Sequence, residues 1–126
     1  MPVIKRVLCP PLLRRVPEQF SWIDHRLVRD RHIAGRSTEA LALYLFLVTV
    51  ADGQGLSYYS DAGIGKLLPL DTAGLAGARQ ELIRARLIAY QKPLYQVLSL
   101  DPLAAASRSG AAQSLGQILR QMERQP

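Results

Sequence analysis

The sequence predicts an α+β fold, mostly α, on three observations. Ser60 to Ile88 reads as two short helices split by Pro69, because proline cannot continue a helical ladder and drives the preceding Leu68 out of helical geometry. Ser37 to Ala51 reads as one helix that is apolar nearly all round. Leu87–Gln91 and Leu94–Leu100 are apolar, β-prone runs separated by Lys92-Pro93, which is the pattern of a hairpin.

The elements follow in chain order. Residues 1–19 carry Pro2, Pro10, Pro11 and Pro17 with two basic pairs, Lys5-Arg6 and Arg14-Arg15, and are expected to form an extended arm. Val3, Ile4, Val7, Leu8, Leu12, Leu13 and Val16 are many apolar residues for a free tail, so the arm either packs on the domain or a partner, or reaches along phosphates or into a minor groove. Phe20 to Ile33 is expected to form a short helix, or strand and turn, that lays Phe20, Trp22, Ile23, Leu27 and Val28 on the core. His25 and His32 lie seven apart with no third ligand near them and read as solvated or capping side chains.

The apolar helix has Ser37 or Thr38 as N-cap, Glu39 in its first turn and Asp52-Gly53 as its stop. Its breadth makes it the central strut of the domain or a dimer contact as well. Leu56–Tyr59 is short and β-compatible, and leads into Ser60, the expected cap of a helix carrying Ile64, Leu67 and Leu68. Asp71 is expected to cap the next helix, in which Leu75, Ala78, Leu82 and Ile83 form an inward stripe and leave Thr72, Gly74, Ala76, Arg79 and Gln80 outward. Beyond Asp101 the composition shifts to Ala, Ser, Gly and Gln, read as a flexible linker over 101–112. Residues 113–126 follow, where Leu115, Ile118, Leu119 and Met122 make one apolar stripe on a short amphipathic helix. Such a helix is marginal alone and is expected to dock on its own domain, on a second subunit in a homodimer, or on another protein.

Composition narrows the classes. With 126 residues and 48% hydrophobic content the chain holds one small core plus tails. The single Cys9 excludes an internal disulfide, no Cys/His set has zinc spacing, and a reducing, cytoplasmic compartment is expected, nucleoid-associated if DNA is bound. The longest apolar run, 40–51, falls short of the roughly 18 residues that span a bilayer, so no membrane is expected. The proline-broken MPVIKRVLCPPLL does not read as a signal peptide. No phosphate loop, nucleophile elbow or carboxylate cluster is present, so neither enzyme activity nor a cofactor is expected. A pocket for a small molecule beside Tyr58, Tyr59 and Trp22 would lack a supporting polar constellation.

The net charge of +6 is unevenly spread: residues 1–36 hold eight basic against three acidic residues, whereas residues 37–100 hold five of each. The basic third points to a polyanion, and the neutral block contains the two split helices.

Helix, strand, helix, turn, helix, hairpin is the order of a winged helix-turn-helix over residues 20–100, with a small β-hairpin wing, a basic N-terminal arm and a C-terminal amphipathic helix. The residues Leu43 to Val50, Ala51-Asp52-Gly53, Ser60, Ile64, Lys66-Leu67-Leu68, Leu70-Asp71, Leu75, Ala78, Leu82 and Leu87-Ile88 resemble bacterial winged helix-turn-helix domains. Those of plasmid replication initiators, DnaD-like primosome proteins and small mobile-element regulators are similar. Two positions depart from that pattern, which usually has glycine where this chain has Pro69 and a glycine C-cap where it has Arg86. The resemblance implies double-stranded DNA as the partner, in transcription regulation or in replication or transposition of a mobile element.

On that reading Thr72, Arg79 and Gln80 face the groove, Arg84 and the wing residue Lys92 touch phosphate, and Lys5, Arg6, Arg14 and Arg15 supply sequence-independent attraction. The helix opens Asp71-Thr72-Ala73-Gly74-Leu75-Ala76-Gly77, however, and base reading requires longer polar side chains than these. Backbone binding to DNA and a protein-docking surface therefore stand beside base reading. The alternative function is a protein-protein adaptor, with the apolar arm and the C-terminal stripe as docking elements.

Overall fold

A computed structural model of the chain describes residues 4–101. Its elements are α1 (Arg26–Arg29), α2 (Thr38–Val50), β1 (Leu56–Tyr58), α3 (Asp61–Leu67), α4 (Thr72–Arg84), β2 (Ile88–Gln91) and β3 (Leu94–Val97). The described chain is thus α+β and mostly helical, with one three-stranded antiparallel sheet in the order β1-β3-β2. The expected linker beyond Asp101, and the stripe of Leu115, Ile118, Leu119 and Met122, lie outside the described residues.

The helix starts are fixed by side-chain caps. Ser37, Ser60 and Asp71 all stand extended, and each accepts from the N–H three residues on: Ala40 (3.1 Å), Gly63 (3.0 Å) and Gly74 (2.6 Å). Each bond satisfies a donor that the first helical turn leaves unpaired. The Ser37 cap is completed from another helix: Glu81 of α4 accepts from the Ser37 N–H and from its hydroxyl, both at 2.8 Å. Glu81 does here what a glutamate three residues after the cap does in a capping box. These bonds hold its carboxyl below the usual carboxylate range, the Ser37 N–H contributing most.

Pro69 and Arg86 are accommodated by two local devices. The Leu70 N–H donates to the Leu68 carbonyl at 2.8 Å, an i to i+2 turn centred on Pro69. Its central residue takes a negative φ that suits proline, so glycine is not needed between α3 and α4. At the end of α4 the Arg86 N–H bonds to the Ile83 carbonyl and the Leu87 N–H to the Leu82 carbonyl, with Arg86 at φ 59°. That is a Schellman cap with arginine at the left-handed position and buried Leu82 and Leu87 closing it.

The core lies between α2, α4 and the inner face of the sheet. Ala40, Leu43, Leu47, Ile64, Leu75, Leu82, Leu87, Ile88 and Tyr95 are essentially inaccessible. Asp52 shapes the connection into β1, its carboxylate accepting from the Gln54 and Leu56 N–H groups. Gly55 is required there: its φ is +84°, and a Cβ would stand 2.7 Å from the Val97 carbonyl oxygen.

One expectation fails in and before α1. Phe20, Trp22, Ile23 and Val28 do not lie on the core; all four are exposed, and only Leu27 of that stretch is buried. The helix is a single turn, ended at Asp30 by Arg31 at φ 62°, too short to present a continuous apolar stripe. His25 sits at its N-cap position without a side-chain capping bond. The arm does not pack on the domain either: apart from a 3-10 turn at Pro10–Leu12 it is irregular, and every residue from Ile4 to Gln19 is exposed.

Candidate nucleic-acid interface

The residues expected to meet DNA fall into three places. Thr72 and Gln80 are exposed on α4. Lys92 is exposed at the hairpin tip, which the Tyr59 N–H anchors at the entrance to α3 by donating to the Pro93 carbonyl at 3.2 Å. Arg84 is exposed in the last turn of α4, about 18 Å along the axis from Thr72 at 1.5 Å per residue. It stands beside the exposed Arg86. Lys5, Arg6, Arg14 and Arg15 are all exposed on the arm.

Arg79 is the correction. Expected to face outward, it has only 13% of its side chain exposed and is turned across the α3–sheet junction. One guanidinium nitrogen donates to Asp61 at 2.8 Å and to the Tyr95 hydroxyl at 2.9 Å, while the guanidinium plane lies 4.5 Å from the centre of the Tyr90 ring. Tyr90 and Tyr95 themselves pack with ring centres 4.5 Å apart and planes tilted by 39°. Burial opposes the charge on Arg79, yet the bonds to Asp61 and Tyr95 prevail and strengthen its hold on the proton. Its role is to lock α3, α4 and the hairpin into one unit, since a long flexible side chain beside an aromatic pair gains more from this desolvated fork than from water.

The exposed N-terminal half of α4 is left with Thr72, Ala73, Ala76, Gly77 and Gln80. A Cβ on Gly77 would meet nothing, so this surface is open, whereas Gly74 is taken by the Asp71 cap, whose carboxylate a Cβ would approach to 2.9 Å. The surface is smooth and uncharged. It admits close approach of a backbone, and Gln80 is its one long hydrogen-bonding side chain.

The charges of residues 37–100 balance by count but differ in how they are held. Asp52, Asp61, Asp71 and Glu81 accept hydrogen bonds within the fold. Among the described residues the ion pairs involve Arg26, Arg29 and Arg79, and none reaches Lys66, Arg84, Arg86 or Lys92, all of them exposed. Asp61 is compensated by Arg79, whereas Asp52, Asp71 and Glu81 keep their charge while held on N–H and hydroxyl donors.

A second feature lies near the arm. A cavity of about 610 Å³ opens between the segment Phe20–Asp24, the end of α2 and the chain leaving β3. Trp22, Phe20, Tyr44, Val48 and Leu100 line it, but Tyr58 and Tyr59 do not: Tyr58 is exposed and Tyr59 packs edge-on against Phe46 at 5.0 Å. At its rim Arg26 bridges Asp24, at 2.7 Å, and Asp101. The Arg26 side chain, and then its N–H, draw the Asp24 carboxyl down to about 2. Ser21 pins the wall by donating to the Thr49 carbonyl at 3.0 Å. Burial, with the Asp24 charge, pushes the Tyr44 hydroxyl up.

No cluster of three or more His, Cys, Asp or Glu side chains suited to a metal occurs among the described residues. No helix among them is long and apolar enough to cross a membrane. Comparison with protein-family models, curated proteins and solved structures yields no match.

Proposed function

We propose that the chain is a DNA-binding protein of winged helix-turn-helix type, acting in transcription regulation or in the replication or transposition of a mobile element. The observation that carries the reading is the Arg79 clamp. It fixes two capped helices and a hairpin at set angles while leaving the first turns of α4 uncovered. A helix whose own domain covers one face and braces its flank, yet leaves its N-terminal half open, is suited to enter a major groove. Element order and strand order β1-β3-β2 agree with that use.

The division of labour follows the surface chemistry. Thr72 and Gln80 face the bases and supply at most modest sequence preference; Arg79 acts only by holding the frame. Lys92, Arg84 and the cations of the arm meet phosphate, so affinity is mostly sequence-tolerant and salt-sensitive. Gel retardation with a random-sequence duplex and a panel of sequences tests this. Binding near 50 mM salt that weakens steeply toward 200 mM is the expected result, and no retardation of any duplex at 50 mM refutes the proposal.

The adaptor reading is favoured by one observation, the exposed aromatics Phe20 and Trp22 beside an apolar cavity. It requires stable association with a protein and no salt-sensitive retention of DNA.

A further inference from the structure

The arm and the cavity at its base are two unpartnered apolar surfaces in one chain. Six aliphatic side chains of the arm, Ile4, Val7, Leu8, Leu12, Leu13 and Val16, are between 55% and 87% exposed. The cavity is walled by Phe20, Trp22 and Tyr44, and Trp22 is itself 76% exposed. We infer that the arm of one copy lies in this groove of a second copy, so that two chains exchange arms about a two-fold axis.

Charge supports this occupant. Residues 4–16 carry four cations and no acid, whereas the groove is lined by Asp24, Asp52 and Asp101 against Arg26 alone. A basic apolar segment thus meets an acidic apolar slot, and the arm retains a positive surplus for phosphate. The area suffices. A fully buried Val, Leu or Ile removes about 100 Å², so covering four of the six on each arm, with the matching groove surface, reaches the roughly 1,600 Å² of a standard specific interface. Reciprocal exchange about the two-fold axis makes the contact twice and closes a dimer, whereas one-way insertion of each arm into the next copy would run on as a ring or a filament.

Trp22 is the single tryptophan and reports on the groove directly. Sedimentation equilibrium and tryptophan emission of the full chain are measured across a hundredfold concentration range, without DNA. The double substitution Leu8→Asp with Leu12→Asp and, separately, Ile23→Glu are carried alongside; all three positions are exposed, so the fold tolerates them. The inference expects a monomer–dimer equilibrium, emission that moves to the blue as dimer forms, and loss of both in either variant. A monomer at every concentration overturns it, including one whose emission is already blue because the arm folds back on its own chain. A dimer that survives both variants overturns it too, since another surface then holds the copies together. A dimer with unchanged emission removes the groove as the place of contact.

Discussion

Residues 26–101 and residues 4–25 use the same two kinds of side chain, aliphatic and basic, to opposite ends. In the first region leucines and isoleucines converge between α2, α4 and the sheet, and the key arginines are turned inward onto carboxylates and aromatic rings. In the second the aliphatic side chains stand in solvent and Lys5, Arg6, Arg14 and Arg15 have no ion pair among the described residues. Residue type does not separate the two regions; a partner element within reach does. The body supplies stability and a fixed frame, and in the proposed function the leading segment supplies attraction to phosphate.

The largest contrast is in the apolar residues. Leu82→Ala empties a fully buried site at the meeting of α2, α4 and the Schellman cap, and a loss of about 2–5 kcal/mol in urea unfolding is expected. Leu12→Ala, on the exposed arm, is expected to leave the unfolding midpoint of the dilute chain unchanged. Similar losses at both sites would erase the distinction between the regions.

The next contrast sets Arg79 against Gln80, neighbours on α4 with opposite environments. Arg79→Ala removes the bonds to Asp61 and Tyr95 and the stacking on Tyr90, with an expected cost of about 1–2 kcal/mol given the partly exposed Asp61. Gln80→Ala is expected to leave stability within about 0.5 kcal/mol while reducing any preference among duplexes. Arg86→Gly relieves the left-handed arginine at the end of α4 and is expected to stabilise by about 0.5–1 kcal/mol.

Smaller still is a pH effect at the seam between the regions. Asp24 has its folded pKa depressed to about 2 by Arg26. Its contribution is therefore complete above the ordinary carboxylate pKa and is lost as pH falls through the folded value. Thermal melts between pH 4 and pH 2 are expected to fall more steeply for the native chain than for Asp24→Asn. Asp101 and Glu81, also held low by Arg26 and Ser37 respectively, shift in the same direction and leave a residual slope in the variant.

Local chemistry explains what the sequence made legible. Ser37, Ser60 and Asp71 cap helices because each needs only backbone three residues away, and the hairpin around Lys92-Pro93 is equally local. The stripe of Leu75, Ala78 and Leu82 follows from period alone. Position 79 is not legible, because the same periodicity that puts Arg79 beside the apolar stripe cannot show that Asp61, Tyr90 and Tyr95 await it across 11 to 18 residues of chain. Glu81 completing the cap of Ser37 across 44 residues is hidden for the same reason. Phe20 to Ile23 differ for another reason: their hydrophobicity predicts burial, but residues 20–25 form no helix or strand to carry those side chains onto the core.

The central claim, that the unpaired cations of the leading segment supply much of the affinity for DNA, is tested most directly by the salt dependence of duplex binding. The full chain is compared with a variant carrying Lys5→Gln, Arg6→Gln, Arg14→Gln and Arg15→Gln. The account expects both to bind, and the slope of log affinity against log salt to become shallower in the variant by about 0.9 for each of the four cations that meets a phosphate. Equal slopes and equal affinities for the two chains would contradict it.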